Sequence, residues 1–113
     1  IKLVCQPANS PDLNVLDLCF FNSIQSIQYK SASTTTEELV AAVDRAFEHY
    51  PVRRSNKIFL SLHACMREII EVLGGNSYDL PHIKKGVLER QGLLPLQLRC
   101  NAKSVNGAIL SLR

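Results

Sequence analysis

The first five residues, IKLVC, are mostly apolar, the pattern of a short strand buried on both faces. Gln6 to Leu13 reads as a loop, punctuated by Pro7 and Pro11 and by the turn formers Asn9, Ser10 and Asp12. The period then changes. Leu16, Phe20, Ile24 and Ile27 recur at spacings of four, four and three, which predicts a helix from Val15 to Tyr29 with one buried stripe.

A polar break, SASTTT (Ser31 to Thr36), precedes a second helical stretch. Thr35 and Glu38 stand at capping-box spacing, Leu39, Val43, Ala46, Phe47 and Tyr50 form the apolar face, and Pro51 marks the stop. Ser55 offers a cap to the longest helix, Asn56 to Leu73. Ile58, Leu62, Cys65, Met66, Ile69, Val72 and Leu73 fall on one side of it, and Gly74-Gly75 end it. Pro81 to Gln91 predicts a short basic helix, weakened by Gly86 and closed by Gly92. LLPLQLRC reads as irregular, and Asn101 to Arg113 as a weakly periodic tail.

The pattern therefore predicts a mostly α chain with one N-terminal strand and three or four helices. A lone buried strand leaves its backbone groups unpaired. The apolar start thus implies a sheet whose other strands lie outside this chain. With Ile1 in place of a methionine, it points to a processed product or a piece of something larger.

Composition narrows the class. One hundred and thirteen residues hold a single core, and 46% hydrophobic with 20% charged residues is a globular balance rather than that of a disordered tail. No apolar run approaches the ~20 residues of a membrane span, and no signal-peptide pattern leads the chain. The net charge of +3 permits a nucleic-acid partner without requiring one. Cys5, Cys19, Cys65 and Cys100 lack metal-site or disulfide spacing and read as buried free thiols in a reducing compartment. His49, His63 and His82 are scattered, and His63 and Cys65 point to different faces of a helix, so neither set reads as a metal site.

Asp17, in the first turn of the predicted 15–29 helix, carries the candidate chemistry. As a helix-start acid it gains about 0.3–1 kcal/mol from the macrodipole. Asn14 with Asp17 is close to a capping box, and Asp12 can make a local turn bond. Spacing alone favours this capping reading over a metal ligand. Two basic clusters, Arg53-Arg54 with Lys57 and His82 with Lys84-Lys85 and Arg90, read either as phosphate contacts or as solvated helix faces. The absence of Trp leaves no stacking platform for bases.

QPANSPDLNVLDLCFF resembles the third acidic motif of mariner-like DNA transposases: Ser10-Pro11-Asp12-Leu13, the spacer Asn14-Val15-Leu16, then Asp17 entering a helix. The likeness continues through FFNSIQSIQYK and PHIKKGVLERQGLLPLQLRC, and is closest to the plant-type branch, whose third acid is aspartate. The resemblance implies that residues 1–100 are the C-terminal part of a ribonuclease-H-like α/β catalytic domain, followed by a tail at 101–113. It implies that Asp17 is the third catalytic acid and a ligand to Mg2+ or Mn2+, with Asp12 the preceding turn aspartate. The other two acids would lie upstream of Ile1. Such hard cations take carboxylate oxygens, and a pair about 3.5–4 Å apart serves in-line displacement at phosphorus. It further implies DNA partners (transposon ends and target), a homodimer of the full-length protein, a nuclear location, and an enzyme whose isolated fragment is inactive. The alternative is a non-enzymatic helical DNA- or protein-interaction module derived from a transposon.

Overall fold

In the computed structural model, which describes residues 1–113, every regular element is a helix. A 3-10 turn (Pro11–Leu13) and a π-helical segment (Leu16–Phe20) lead into α1 (Phe21–Gln28). They are followed by α2 (Thr36–Glu48), α3 (Val52–Glu71), α4 (Lys85–Arg90) and α5 (Ala102–Ser111).

The expected N-terminal strand is absent, and with it the α/β architecture. Ile1–Cys5 is irregular and open to solvent, Leu3 and Val4 being 96% and 73% exposed, and no other segment pairs with it. The chain is therefore not an α/β ribonuclease-H-like fold with an N-terminal strand. Apolar composition records that side chains avoid water; a strand also needs a partner for its backbone, which composition does not supply.

The helix expected over 15–29 forms in two registers. Its first turns carry the wider π spacing, with the Phe21 N–H reaching the Leu16 carbonyl, before α-helical geometry takes over. The capping box opens α2 as expected. Thr35 Oγ1 accepts from the Glu38 N–H at 3.2 Å, while the Glu38 carboxylate accepts from the Thr34 N–H at 2.8 Å and the Thr34 hydroxyl at 3.0 Å. Those hydrogen bonds, the Thr34 N–H first, hold the Glu38 carboxyl below its usual range.

α3 begins at Val52, not Asn56, because Pro51 serves as its N-cap as well as ending the preceding segment. Its end falls at the predicted glycines. Leu73 and Gly74 both take positive φ (56° and 90°), and the Gly74 N–H bonds the Ile69 carbonyl at 2.8 Å. α4 spans six residues rather than 81–91, since Lys84 adopts a left-handed conformation at φ 48° and blocks extension toward Pro81. The expected tail is instead α5, capped by Asn101 Oδ1 accepting from the Lys103 N–H at 3.0 Å.

The core is small. Ile24 of α1, Ala42 and Ala46 of α2, and Ile58, Leu60, Ala64 and Cys65 of α3 are buried. Around it, Phe20 packs its ring on Tyr50 (centroids 4.8 Å apart) and on the edge of Phe47 (5.6 Å). The apolar face expected for α2 is covered only in part: Ala46 is buried, but Leu39, Val43 and Phe47 are 43%, 39% and 62% exposed. The radius of gyration is 17.5 Å, against about 13 Å for a compact domain of this length, so the chain is extended rather than tightly packed. No helix is long and apolar enough to cross a membrane.

Candidate functional site

The acidic motif folds as one turn whose polar side chains hold one another. Gln6 Nε2 donates to the Ser10 carbonyl at 2.6 Å, and Ser10 Oγ donates to the Ala8 carbonyl at 3.2 Å. Pro11 then starts the 3-10 turn, where its fixed φ fits and its missing N–H costs nothing. The Asn14 N–H closes this turn on the Pro11 carbonyl at 3.0 Å.

Asn14 is the hub. Its Oδ1 accepts from the Leu16 N–H at 3.1 Å, capping the helix, and its Nδ2 donates to Asp17 Oδ2 at 2.9 Å. The capping bond thus belongs to Asn14, while Asp17 gains the general advantage of an acid at a helix start. Asp17 is exposed on the π segment, with one oxygen steadied by Asn14 and the other unengaged. Phe20, three residues on, is anchored in the aromatic cluster, and Phe21 beside it is 53% exposed.

Asp12, five residues earlier in the same motif, faces the other way. It is half-buried and accepts from the Tyr78 hydroxyl at 3.1 Å. Loss of water around that hydroxyl, then the Asp12 hydrogen bond and charge, push Tyr78 up to about 12. Burial first, then the Asp12 charge, also raises the Cys65 thiol on α3. Next to this contact, Asn76 Nδ2 donates to the Asn9 carbonyl at 3.3 Å, so the loop after α3 is fastened to the motif twice. Sequence reasoning missed Tyr78 and Asn76. They lie more than sixty residues from the motif, and nothing in the local pattern around them signals the contact.

No group of three or more His, Cys, Asp or Glu side chains is brought together anywhere in the chain. A metal ion at Asp17 would need further ligands beyond those the fold brings together there.

The basic residues divide in the same way. Glu89 of α4 bridges α3, with Oε1 3.2 Å from Arg53 Nε and Oε2 bonded to Lys57 Nζ. The Lys57 bond holds the Glu89 carboxyl below its usual range against the opposing effect of burial, with lesser help from the Lys57 and Arg53 charges. Lys85 turns inward, donating to the Lys57 carbonyl at 3.0 Å and to Ser61 Oγ. Lys84 and Arg54 are exposed without an acidic partner, and Arg90 spends only its Nε, on the Gly86 carbonyl at 3.3 Å. His82, Lys84, Lys85, Gly86, Val87 and Arg90 line an open groove of about 560 Å³.

All four cysteines are free thiols, but only Cys65 is buried. The histidines do not meet: His49 pairs with the Arg45 carbonyl at 2.9 Å, while His63 and His82 line different cavities. No family model, curated protein or solved structure matches the chain.

Proposed function

We propose that this chain is part of a mariner-like DNA transposase and supplies one metal-binding carboxylate, Asp17, to a centre for DNA cleavage and strand transfer. The observation that carries the reading is the division of labour within the motif. Asp12 is tied inward to Tyr78, whereas Asp17 is exposed and aimed by Asn14. A bound Mg2+ or Mn2+ pair would supply activation of the attacking oxygen and charge stabilisation at phosphorus. The chain's own part is narrower: Asp17 presents one oxygen, Asn14 fixes its orientation, and the Phe20 anchor keeps the helix start in place.

The test uses the full open reading frame that contains this chain, purified and given Mg2+ or Mn2+ with DNA carrying the element's ends. Cleavage is expected, Asp17→Asn should reduce it to background, and Asp12→Asn should leave it within tenfold. Cleavage that survives Asp17→Asn refutes the assignment. The isolated chain should leave supercoiled plasmid intact, because one carboxylate does not hold two ions.

A second reading draws on a different observation. Phe21, Val40, Phe47 and Phe59 are each about half exposed or more, a large apolar display for a short chain. That favours a helical interaction module derived from a transposon. A full reading frame without further acids that act with Asp17, and inactive with either metal, would select it.

A further inference from the structure

We propose that the groove lined by His82, Lys84 and Arg90 is a docking surface for the phosphodiester backbone of a nucleic acid, with Lys84 and Arg90 making the phosphate contacts. The inference rests on the DNA reading above but uses residues remote in sequence from the acidic motif.

The first support is the sorting of charge. Of the six cations clustered along α3 and α4, three are committed within the protein, Arg53 and Lys57 to Glu89 and Lys85 to the Lys57 carbonyl and Ser61, while Arg54 is exposed outside the groove. Lys84 and the outer guanidinium nitrogens of Arg90 remain available, and both residues line the same groove. No acidic residue lines it, because Glu89 is turned to the α3 side. The groove is therefore a one-sign surface, not the mixed-charge face that solvated helices usually show.

The second support is shape. Gly86 lies in the groove wall, and a Cβ built there would meet nothing within 4 Å, so the space in front of the backbone is open. Lys84 is held at φ 48°, a conformation uncommon for a residue with a Cβ, at the point where the chain enters α4. Lys85, itself at the groove, and Glu89 bind α3, which holds α4 in place while leaving Lys84 and the outer nitrogens of Arg90 uncommitted. A shallow channel with point charges and no aromatic wall suits a charged strand that is read by its backbone. It does not suit a stacked base or an enclosed nucleotide.

The experiment measures binding of the whole chain to a fluorescein-labelled 20-base-pair duplex by anisotropy, across about 50–200 mM salt. Each phosphate contact contributes about 0.9 to the slope of log affinity against log salt. Replacing both contacts (K84A with R90A) should therefore lower the slope by about 1.8, and affinity at the low-salt end by roughly tenfold or more. Lys30→Ala, which removes a charge outside the groove, should change the slope by less than half a contact.

Equal losses from Lys30→Ala and Lys84→Ala would overturn the proposal, since binding would then follow net charge alone. So would absence of binding at 50 mM salt, tighter binding to phosphatidylserine vesicles than to the duplex, or displacement of the duplex by 1 mM inorganic phosphate. Circular dichroism of the double variant keeps loss of fold from passing as loss of contact. The duplex assay contains no divalent metal, whereas the Asp17 assignment is read by metal-dependent cleavage, so failure of the groove and failure of the metal-ligand reading give different results.

Discussion

The acidic turn at Ser10–Asp17 and the basic seam between α3 and α4 solve the same problem with opposite charge. In each, the sequence offers a cluster of like residues, and the fold spends some of them on itself. Asp12 fastens the motif to Tyr78 while Asp17 stays free; Lys57 and Lys85 fasten α4 to α3 while Lys84 stays free. Neighbours in sequence therefore have different jobs. What separates them is direction: a residue facing the helix layer finds a partner there, and its neighbour, turned outward, does not. Each basic cluster is divided for this reason into residues bound within the protein and residues left exposed.

Breaking the fasteners should produce the largest effects. Tyr78→Phe leaves the half-buried Asp12 carboxylate without its donor, and should destabilise the fold by about 1–3 kcal/mol in a denaturant titration. Replacing Asp12 by Asn keeps an acceptor and should cost less. If both variants unfold at the wild-type midpoint, Asp12 is not a fastener and the contrast with Asp17 collapses. On the basic side, Lys85→Met removes two bonds from an ammonium donor and should cost about 1–2 kcal/mol, allowing for partial exposure. A variant with unchanged stability would place Lys85 among the free cations.

Acid tests the seam without mutation. Because the folded-state carboxyl of Glu89 sits below its ordinary value of 4.5, its contribution is complete above that value and disappears as pH falls through the lower, folded-state one. The α3–α4 contact should therefore loosen only below about pH 4.5. Amide hydrogen exchange in Lys85–Arg90 should show faster opening there, and Glu89→Gln should remove the pH step. Tyr78 gives the mirror case at high pH. A hydroxyl raised from 10 to about 12 contributes fully below pH 10 and ceases to do so as pH passes the upper value. The absorbance titration of Tyr78 should have its midpoint near pH 12.

Local signals in the sequence were legible, and partners across the fold were not. Thr35 and Glu38 announce the start of α2 because a capping box is satisfied within a few residues. Gly74 announces the end of α3 for the same kind of reason. IKLVC misled, since a strand is defined by a neighbour that composition does not specify. The helix α5, capped by Asn101, was read as a tail because Gly107 and a poor apolar stripe hid it. At the candidate site, Asn14 and Asp17 were readable together as a helix-start pair. The role of Asp12 depended on Tyr78, a contact that chain distance conceals.

The smallest expected effects are the most diagnostic, because they concern the residues left free. An exposed side chain with no bond that the fold depends on changes stability by no more than about 0.5 kcal/mol when replaced. Lys84→Ala should meet that limit, although its left-handed backbone makes alanine no better suited than lysine. Asp17→Asn should also meet it. The amide loses the negative charge near the helix start but retains an oxygen that can accept from Asn14 Nδ2. Paired thermal melts of Asp12→Asn and Asp17→Asn therefore discriminate directly. A drop in midpoint for the first, with almost none for the second, means that the exposed acid is maintained for something other than the fold. A larger drop for Asp17→Asn would make it a structural helix-start residue and remove the physical basis for treating it as a ligand.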